Sequence, residues 1–460
     1  MRMANHTVKL ADLKVDNKQL GPGLRGVDPN LSDKKGLTAL HHIASSTIDD
    51  DFAGIFFKIC DDIKQTVKLE VRDEQGLTPL NVALTKGKKK LSESLMKKGA
   101  DLNSTSNGGT TPLQFICMYC EEASFLMKML FELSDGRNHP LQIDARDELH
   151  QTPLHYAVDR GLKEVTELLL RRGANPNLAT KSGLTPLHII CTRYQLEELV
   201  EIFLKICEDV QQTVEIDVQD KLGRTPLQYA VTNLMLNAVD SLVDRGADLS
   251  SFNFLIIYPE WLRDDKFKLT LACGLMAVFE RLENRGYEPD CSDALTIMKF
   301  FHNYELFEKA ADLDEYWYDD EKFATEAKKV MIYLRIERFY YYDEAEFARE
   351  KNETMMSPSL SIYDLVRLRP DEVAKLLTYE DYFELAHPKK INEFTSRLGV
   401  VCLVHLCEKL SRRFFQVWAT ISFYELIHKR LPIECCGIII ANLTNRDLYH
   451  ICLSAAGQSS

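Results

Sequence analysis

The chain has 460 residues, of which 45% are hydrophobic and 27% charged, with a formal net charge of −13 at pH 7 and a pI near 5.5. A chain of this length exceeds one compact domain, and it is apolar enough to bury a large core. The acidic balance argues against attraction to nucleic acid or to anionic membrane surfaces, since both carry negative charge.

Residues 1–32 are predicted to form an N-terminal tail and cap. They lack the apolar core of a secretory signal, and no window of the chain approaches about eighteen uninterrupted apolar residues. We therefore expect an intracellular protein, in the cytoplasm or the nucleus. The string GPGLRG (21–26) fits G-x-G-x-x-G, but no predicted strand precedes it, so we do not predict a dinucleotide site there.

One phrase then recurs along the first half of the chain. Its copies are GLTALHHIA (36–44), GLTPLNVAL (76–84), TTPLQFIC (110–117), QTPLHYAV (151–158), GLTPLHIIC (183–191) and GRTPLQYAV (223–231). The copies are separated alternately by about 40 and about 33 residues, the shorter spacing being typical of a T-P-L-H-x-A repeat. Residues 33–250 therefore resemble the ankyrin family. The resemblance implies six repeats and an all-α solenoid fold.

The residue types in the phrase have local reasons. Thr185 can accept an otherwise unpaired amide at a helix start, and Pro186 needs no amide partner in the first helical position. The second helix of each repeat is predicted to end at a glycine in the left-handed conformation. The expected positions of these glycines are Gly99, Gly173 and Gly246.

The longer repeats contain seven or eight extra residues, in two closely related segments at 55–76 and 202–223. A unit of two repeats has therefore been copied. Insertions of this kind often lie on the binding face of a solenoid. The alternative is that they only lengthen the second helix and give it an acidic tail.

The repeat spacing continues beyond the last clear copy. We expect degenerate repeats over 251–312, with YPEW (258–261) in place of the TPLH phrase, because terminal repeats are commonly atypical. Residues 313–354 are acidic and aromatic, and the apolar spacing in 329–339 predicts a helix. The apolar series 398–406 is too short for a membrane span and predicts a buried helix.

The last segment, LPIECCGIIIANLTNRDL (431–448), combines a Leu-Pro helix start with an Asp-Leu pair in the next helix. This spacing resembles the opening of an F-box, and an ankyrin array followed by such an ending resembles the PRANC family over 355–460. In that family the segment implies docking to a Skp-type adaptor of a cullin-RING ubiquitin ligase. The residues that carry the resemblance are Leu431, Pro432, Glu434, Ile439, Ile440, Leu443, Asp447 and Leu448.

The motif departs from the F-box pattern in its length. Only twelve residues follow Leu448, whereas an F-box continues into a third helix, so upstream helices would have to complete the interface. The alternative is structural: Leu-Pro starts many ordinary helices, and 431–453 would then merely cap a C-terminal bundle.

No catalytic motif, metal-ligand spacing or phosphate loop stands out, so we expect no enzymatic activity and no cofactor. Cys117 and Cys120 form a lone C-x-x-C, and we interpret most of the twelve cysteines as buried thiols. The histidines of the repeat phrase, His41-His42, His155 and His188, are predicted to hydrogen-bond to a neighbouring loop.

The resemblance therefore implies a substrate-recruiting subunit of a cullin-RING ligase, which binds a target protein through its repeats. The alternative is a plain interaction protein, such as a stoichiometric inhibitor of a transcription factor or signalling protein, which needs only the repeats.

Overall fold

The computed structural model describes residues 28–46, 52–137, 140–254, 267–307, 321–328, 331–332, 360–369, 372, 375–386 and 397–458. It contains two compact units, Met1–Pro226 and Leu227–Ser460. The predictions for GPGLRG, for YPEW and for most of 313–354 lie outside the described residues.

The first unit is built from helix pairs, one pair to each repeat. Its helices are α1 (Ala39–Ser45), α2 (Phe52–Asp62), α3 (Pro79–Thr85), α4 (Lys89–Lys98), α5 (Pro112–Tyr119), α6 (Ala123–Arg137), α7 (Pro153–Asp159), α8 (Lys163–Arg171), α9 (Pro186–Cys191) and α10 (Glu197–Asp209). Thr185 caps α9 by accepting a hydrogen bond from the His188 amide, with Pro186 in the first helical turn, as predicted.

The predicted glycines at the ends of the second helices adopt the left-handed conformation. Gly99 has φ 105° and Gly173 has φ 91°. In this conformation the chain leaves the helix without the steric cost that a side chain would add. Gly246, in the second unit, also has φ 91°.

The extra residues of the long repeats form non-helical segments that follow second helices of 11, 15 and 13 residues. Each segment is bound by an asparagine of the preceding repeat, whose side-chain amide donates one hydrogen bond and accepts another. Asn177 donates from Nδ2 to the Thr213 carbonyl at 2.8 Å and accepts the Glu215 amide at Oδ1 at 2.9 Å. Asn30 and Asn103 make the same two bonds to their own segments.

The second unit is also mainly helical. Its elements are α11, which begins at the unit boundary (Pro226–Thr232), α12 (Leu236–Asp244), α13 (Lys268–Asn284), α14 (Cys291–Asn303), α15 (Glu321–Ala327), β1 (Met331–Ile332), β2 (Leu360–Ser361), α16 (Ile362–Arg367), α17 (Tyr379–Leu385), α18 (Arg397–Leu426), α19 (Ile433–Ile440) and α20 (Asn445–Gln458).

The core of this unit forms around α13 and α18. Helix α13 is apolar around most of its circumference and packs against α17 and α18. Gly274 permits the close approach of α13 to α17, because a Cβ added at this glycine would lie 2.7 Å from the Phe383 ring and 2.8 Å from Leu234. Phe415 of α18 packs edge-on against Phe301 of α14, with ring centroids 5.6 Å apart.

The helical content confirms the predicted all-α solenoid class, and Cys402, Leu403 and Leu406 confirm a buried helix over the 398–406 series. The helix predicted over 329–339 is wrong at the residues that the structure describes. Met331 and Ile332 form a short antiparallel pair with Leu360 and Ser361. Local apolar spacing did not reveal this pairing, because the partner strand lies almost thirty residues away. No helix among the described residues is long and apolar enough to span a lipid bilayer.

Candidate functional site

The C-terminal segment forms two short helices that pack against the long helix α18. Pro432 is the N-cap residue of α19, and Glu434 lies in the first turn, where the helix dipole favours an acid. Helix α19 ends at Ile440, and α20 follows after a short polar turn. The Leu-Pro start and the polar break therefore lie where the sequence pattern puts them.

The apolar side chains of α19 divide between a buried and an exposed face. Cys436 and Ile440 are buried, whereas Ile438 is 73% exposed and Ile439 is 51% exposed. Leu431 and Ile433, at the start of the helix, are 41% and 42% exposed. Three exposed isoleucines of this eight-residue helix, with Leu431 just before it, therefore leave aliphatic surface open to solvent.

The Asp-Leu pair of the motif has a packing role. Asp447 accepts hydrogen bonds from the Thr444 amide and hydroxyl, and Thr444 accepts the Asp447 amide in return, which caps α20. These bonds lower the pKa of the Asp447 carboxyl. Leu448 is fully buried, and Leu443 is half-buried. In this structure Ile440 and Leu448 hold α19 and α20 in place and do not reach the surface.

Two side chains that the motif does not include fix the turn between α19 and α20. Arg412 of α18 donates to the Ala441 carbonyl at 2.8 Å and to Asn445 Oδ1 at 3.1 Å. Asn445 is buried and donates from Nδ2 to the Glu408 carbonyl and to Ser411 Oγ. The end of α19 is therefore attached to α18 through charge-assisted and neutral hydrogen bonds.

In the repeat unit, the residue that follows the Pro-Leu or Ala-Leu of the phrase links several of the repeats to the next one. Thr152 donates its amide to His155 Nδ1 at 3.0 Å, so Nε2 carries the ring hydrogen and donates to the Leu184 carbonyl at 3.3 Å. His41 and His188 make the same contact with the following repeat. The predicted loop contact is confirmed for these three, whereas His42 pairs with Asp33 at 3.3 Å.

These linking histidines are held in their neutral form. Burial lowers the pKa of His155 to about 4, and burial also lowers the pKa of His41 and His188. Among the cysteines, ten are buried, as expected, while Cys291 and Cys435 are exposed. Burial raises the pKa of Cys120 to about 11, which leaves this thiol of the C-x-x-C protonated at neutral pH.

The loop tips between repeats form a continuous ladder of backbone hydrogen bonds. Each tip donates an amide to the carbonyl of the preceding tip at 2.9 to 3.1 Å. The donors are Glu74, Asn107, Glu148, Lys181 and Lys221. Two tips carry exposed leucines, Leu149 at 58% and Leu222 at 71%. The array thus presents an ordered edge with apolar side chains that a partner can cover.

Comparison with known proteins decides the nature of the array. The model of the family described as Ankyrin repeats (3 copies) matches residues 93–180 and 166–253. The chain contains ankyrin repeats. Ankyrin repeats imply protein–protein interaction, which is the general role of the array.

Curated relatives match part of the chain. An ankyrin repeat protein of Rickettsia bellii is 28% identical over 152 residues, covering 33% of this chain and 42% of that protein. The mouse B-cell lymphoma 3 protein homolog is 29% identical over 144 residues, covering 31% and 30%. The chain thus spans less than half the length of these relatives. An ankyrin repeat domain structure from Acinetobacter baumannii AYE covers 45% of this chain and 98% of that chain, at 24% identity and a TM-score of 0.37.

Beyond the ankyrin repeats, the eight residues of the motif omit Ile433 and Ile438, which are exposed isoleucines of α19. The helical period offered a signal for Ile438. At about 100° per residue, it lies on the side of α19 opposite Cys436 and Ile440. Arg412 and Asn445 gave no signal in sequence, because the contact joins residues 33 positions apart.

Proposed function

We propose that this chain is a substrate-recruiting subunit of a cullin-RING ubiquitin ligase. The ankyrin repeats bind a target protein, and the segment 431–448 docks a Skp-type adaptor. The observation that carries the proposal is the aliphatic surface exposed on α19 and just before it, formed by Leu431, Ile433, Ile438 and Ile439. A helix that only capped a bundle would present polar side chains to solvent at these positions.

The free energy of burying apolar side chains supports docking on this aliphatic surface. Full burial of one aliphatic side chain is worth about 1.5–3 kcal/mol, and these four retain 41% to 73% of their exposure. Helix α19 is too short to be stable alone, but its contacts with α18 hold it in the helical form before binding. Preorganisation of this kind reduces the ordering cost of association.

The residues of the motif divide into two groups in this proposal. Leu431, Pro432 and Ile439 contact the adaptor directly, with Glu434 and Leu443 at the margin. The buried Ile440 and Leu448, with Asp447 as the helix cap, set the position of α19 and α20. The chain itself contributes no bond-making group. It acts by proximity, placing a target lysine near a charged conjugating enzyme that belongs to other subunits.

The experiment measures binding of the purified full-length chain to a purified Skp-type adaptor. The double variant Ile438→Glu, Ile439→Glu is expected to weaken binding at least about tenfold, which corresponds to about 1.4 kcal/mol. Leu222→Glu is the matched control, because Leu222 is as exposed as Ile438 but lies in the repeats. Absence of binding by the wild-type chain, or equal binding by the double variant, overturns the proposal.

A second candidate is a stoichiometric interaction protein or inhibitor without a ubiquitin role. It is favoured by the packing role of Asp447 and Leu448, and by the family model, which matches residues 93–180 and 166–253 in the repeat region. Cells expressing the double variant distinguish the two. A ligase subunit would still bind its target but would no longer lower the target's abundance, whereas an inhibitor would keep its full effect.

A further inference from the structure

Helix α18 runs alongside α19 in the opposite direction. Arg412 and Gln416 of α18 both donate to the Ala441 carbonyl at the end of α19. One turn further along α18, Thr420 Oγ1 lies 4.0 Å from the position that a Cβ on Gly437 would occupy. Each turn of one helix therefore meets a turn of the other.

The helical period shows which side chains flank this contact. On α18, the side that faces α19 contains Arg412, Gln416 and Thr420. Val417 lies about 100° from Gln416 around the axis of α18. Phe415, on the other flank, is fully buried, whereas Val417 is 50% exposed. On α19, Ile438 lies next to Gly437 on the outer side. By this geometry Val417 and Ile438 lie on the same side of the helix contact, one on each helix, with Gly437 and Thr420 between them. We refer to the space between these two side chains as the groove.

The fold does not require glycine at position 437. Its φ is not positive, and the nearest atom to an added Cβ is at ordinary van der Waals distance. Glycine inside a helix costs roughly 0.5–1 kcal/mol relative to alanine. The residue lowers the stability of α19 and leaves the groove open.

The charge of this region differs from that of the whole chain. Residues 397–458 contain seven Lys and Arg against four Asp and Glu, whereas the chain as a whole has a net charge of −13. Arg413 and Arg430 are exposed near the two ends of the α18–α19 contact, and they outnumber Glu434, the exposed acid of α19. Charge complementarity therefore favours an acidic partner.

We propose that the groove between α18 and α19 receives an apolar side chain from an acidic amphipathic helix of the partner protein. Val417 of α18 then belongs to the docking surface together with Ile438, so the interface includes α18 as well as α19. This inference rests on the proposed function, since the partner is the adaptor.

The test uses the full-length chain and the purified Skp-type adaptor, with dissociation constants measured by biolayer interferometry. Val417→Glu is expected to raise Kd at least tenfold, and Leu31→Glu, at a residue that is 57% exposed and precedes the first repeat phrase, is expected to leave it unchanged. Gly437→Ala is expected to raise the melting temperature and also to raise Kd, because a methyl group narrows the groove. Increasing the salt concentration is expected to weaken wild-type binding.

The outcomes separate the two proposals. If the wild-type chain binds the adaptor and Val417→Glu binds it equally well, the groove proposal is overturned and the proposed function stands. If Gly437→Ala raises stability without weakening binding, the groove is also overturned. If the wild-type chain does not bind the adaptor, both proposals fall. Circular dichroism of each variant separates loss of binding from loss of folding.

Discussion

Asn81 occupies the position that His41, His155 and His188 occupy in their repeats, but its side chain is too short to make their contact. Both its side-chain nitrogen and oxygen are buried without a hydrogen-bond partner in the described structure. Asn81→Gln is expected to reach the Thr110 carbonyl and to stabilise the unit by about 1 kcal/mol. Urea denaturation of the full chain measures the change.

Gln114 provides the matched control for this substitution, because it already makes the contact by donating to the Gln151 carbonyl at 2.7 Å. Gln114→Asn is expected to lower stability by a similar amount. An unchanged urea midpoint for Asn81→Gln contradicts the idea that the missing bond matters.

The linking histidines predict an acid sensitivity of the repeat unit. The pKa of His155 is about 4 in the folded chain, below the ordinary value of 6.5, so the unfolded chain binds the proton more tightly. The contribution of neutral His155 to the free energy of unfolding is therefore fully present above pH 6.5. It falls between pH 6.5 and 4, by up to roughly 3 kcal/mol.

In the third repeat Gln114 makes the same hydrogen bond to the next repeat, and its side chain does not titrate. His155→Gln with His188→Gln is therefore expected to keep stability at pH 7.5 and to reduce its loss at pH 4.5. Urea titrations at both pH values measure the difference. His42→Gln, which removes the half-buried histidine that pairs with Asp33, serves as the control, and an equal effect of the control variant excludes the mechanism.

At the scale of the element, the asparagine contacts determine how the long repeats are ordered. Asn177→Asp keeps the acceptor for the Glu215 amide but places a carboxylate oxygen against the Thr213 carbonyl. We expect the segment 212–217 to lose about 1–2 kcal/mol of local stability. Hydrogen–deuterium exchange at the Glu215 amide reports this loss, and exchange equal to that of the wild type argues against the contact.

Helix starts in the repeats could be predicted because their cause is local. Thr185 and Pro186 determine the first turn of α9 through groups within three residues of each other. The strand at 331–332 could not be predicted in this way, since its cause is a pairing with Leu360 and Ser361. The same reason limits what could be predicted for α19. The sequence indicated where this helix starts and ends, but not which of its isoleucines stay exposed after packing against α18.

At the scale of the whole molecule, the C-terminal segment serves packing as well as its proposed docking. Helix α20 packs against α18 and α14, where Tyr449 stacks on His302 with ring centroids 5.1 Å apart. Leu448 and Cys452 are buried in the same contact. Removing the segment would therefore expose apolar surface of the second unit, whatever its role in binding.

Deletion of residues 431–460 is expected to destabilise the second unit and to leave the repeats folded, since each ankyrin repeat is stabilised mainly by its neighbours. Hydrogen–deuterium exchange should show lost protection in α14 and α18, with unchanged protection over 76–224. The Ile438→Glu, Ile439→Glu variant should retain protection in both, because those side chains face solvent. Full protection of α18 in the deletion would mean that α19 and α20 serve docking alone.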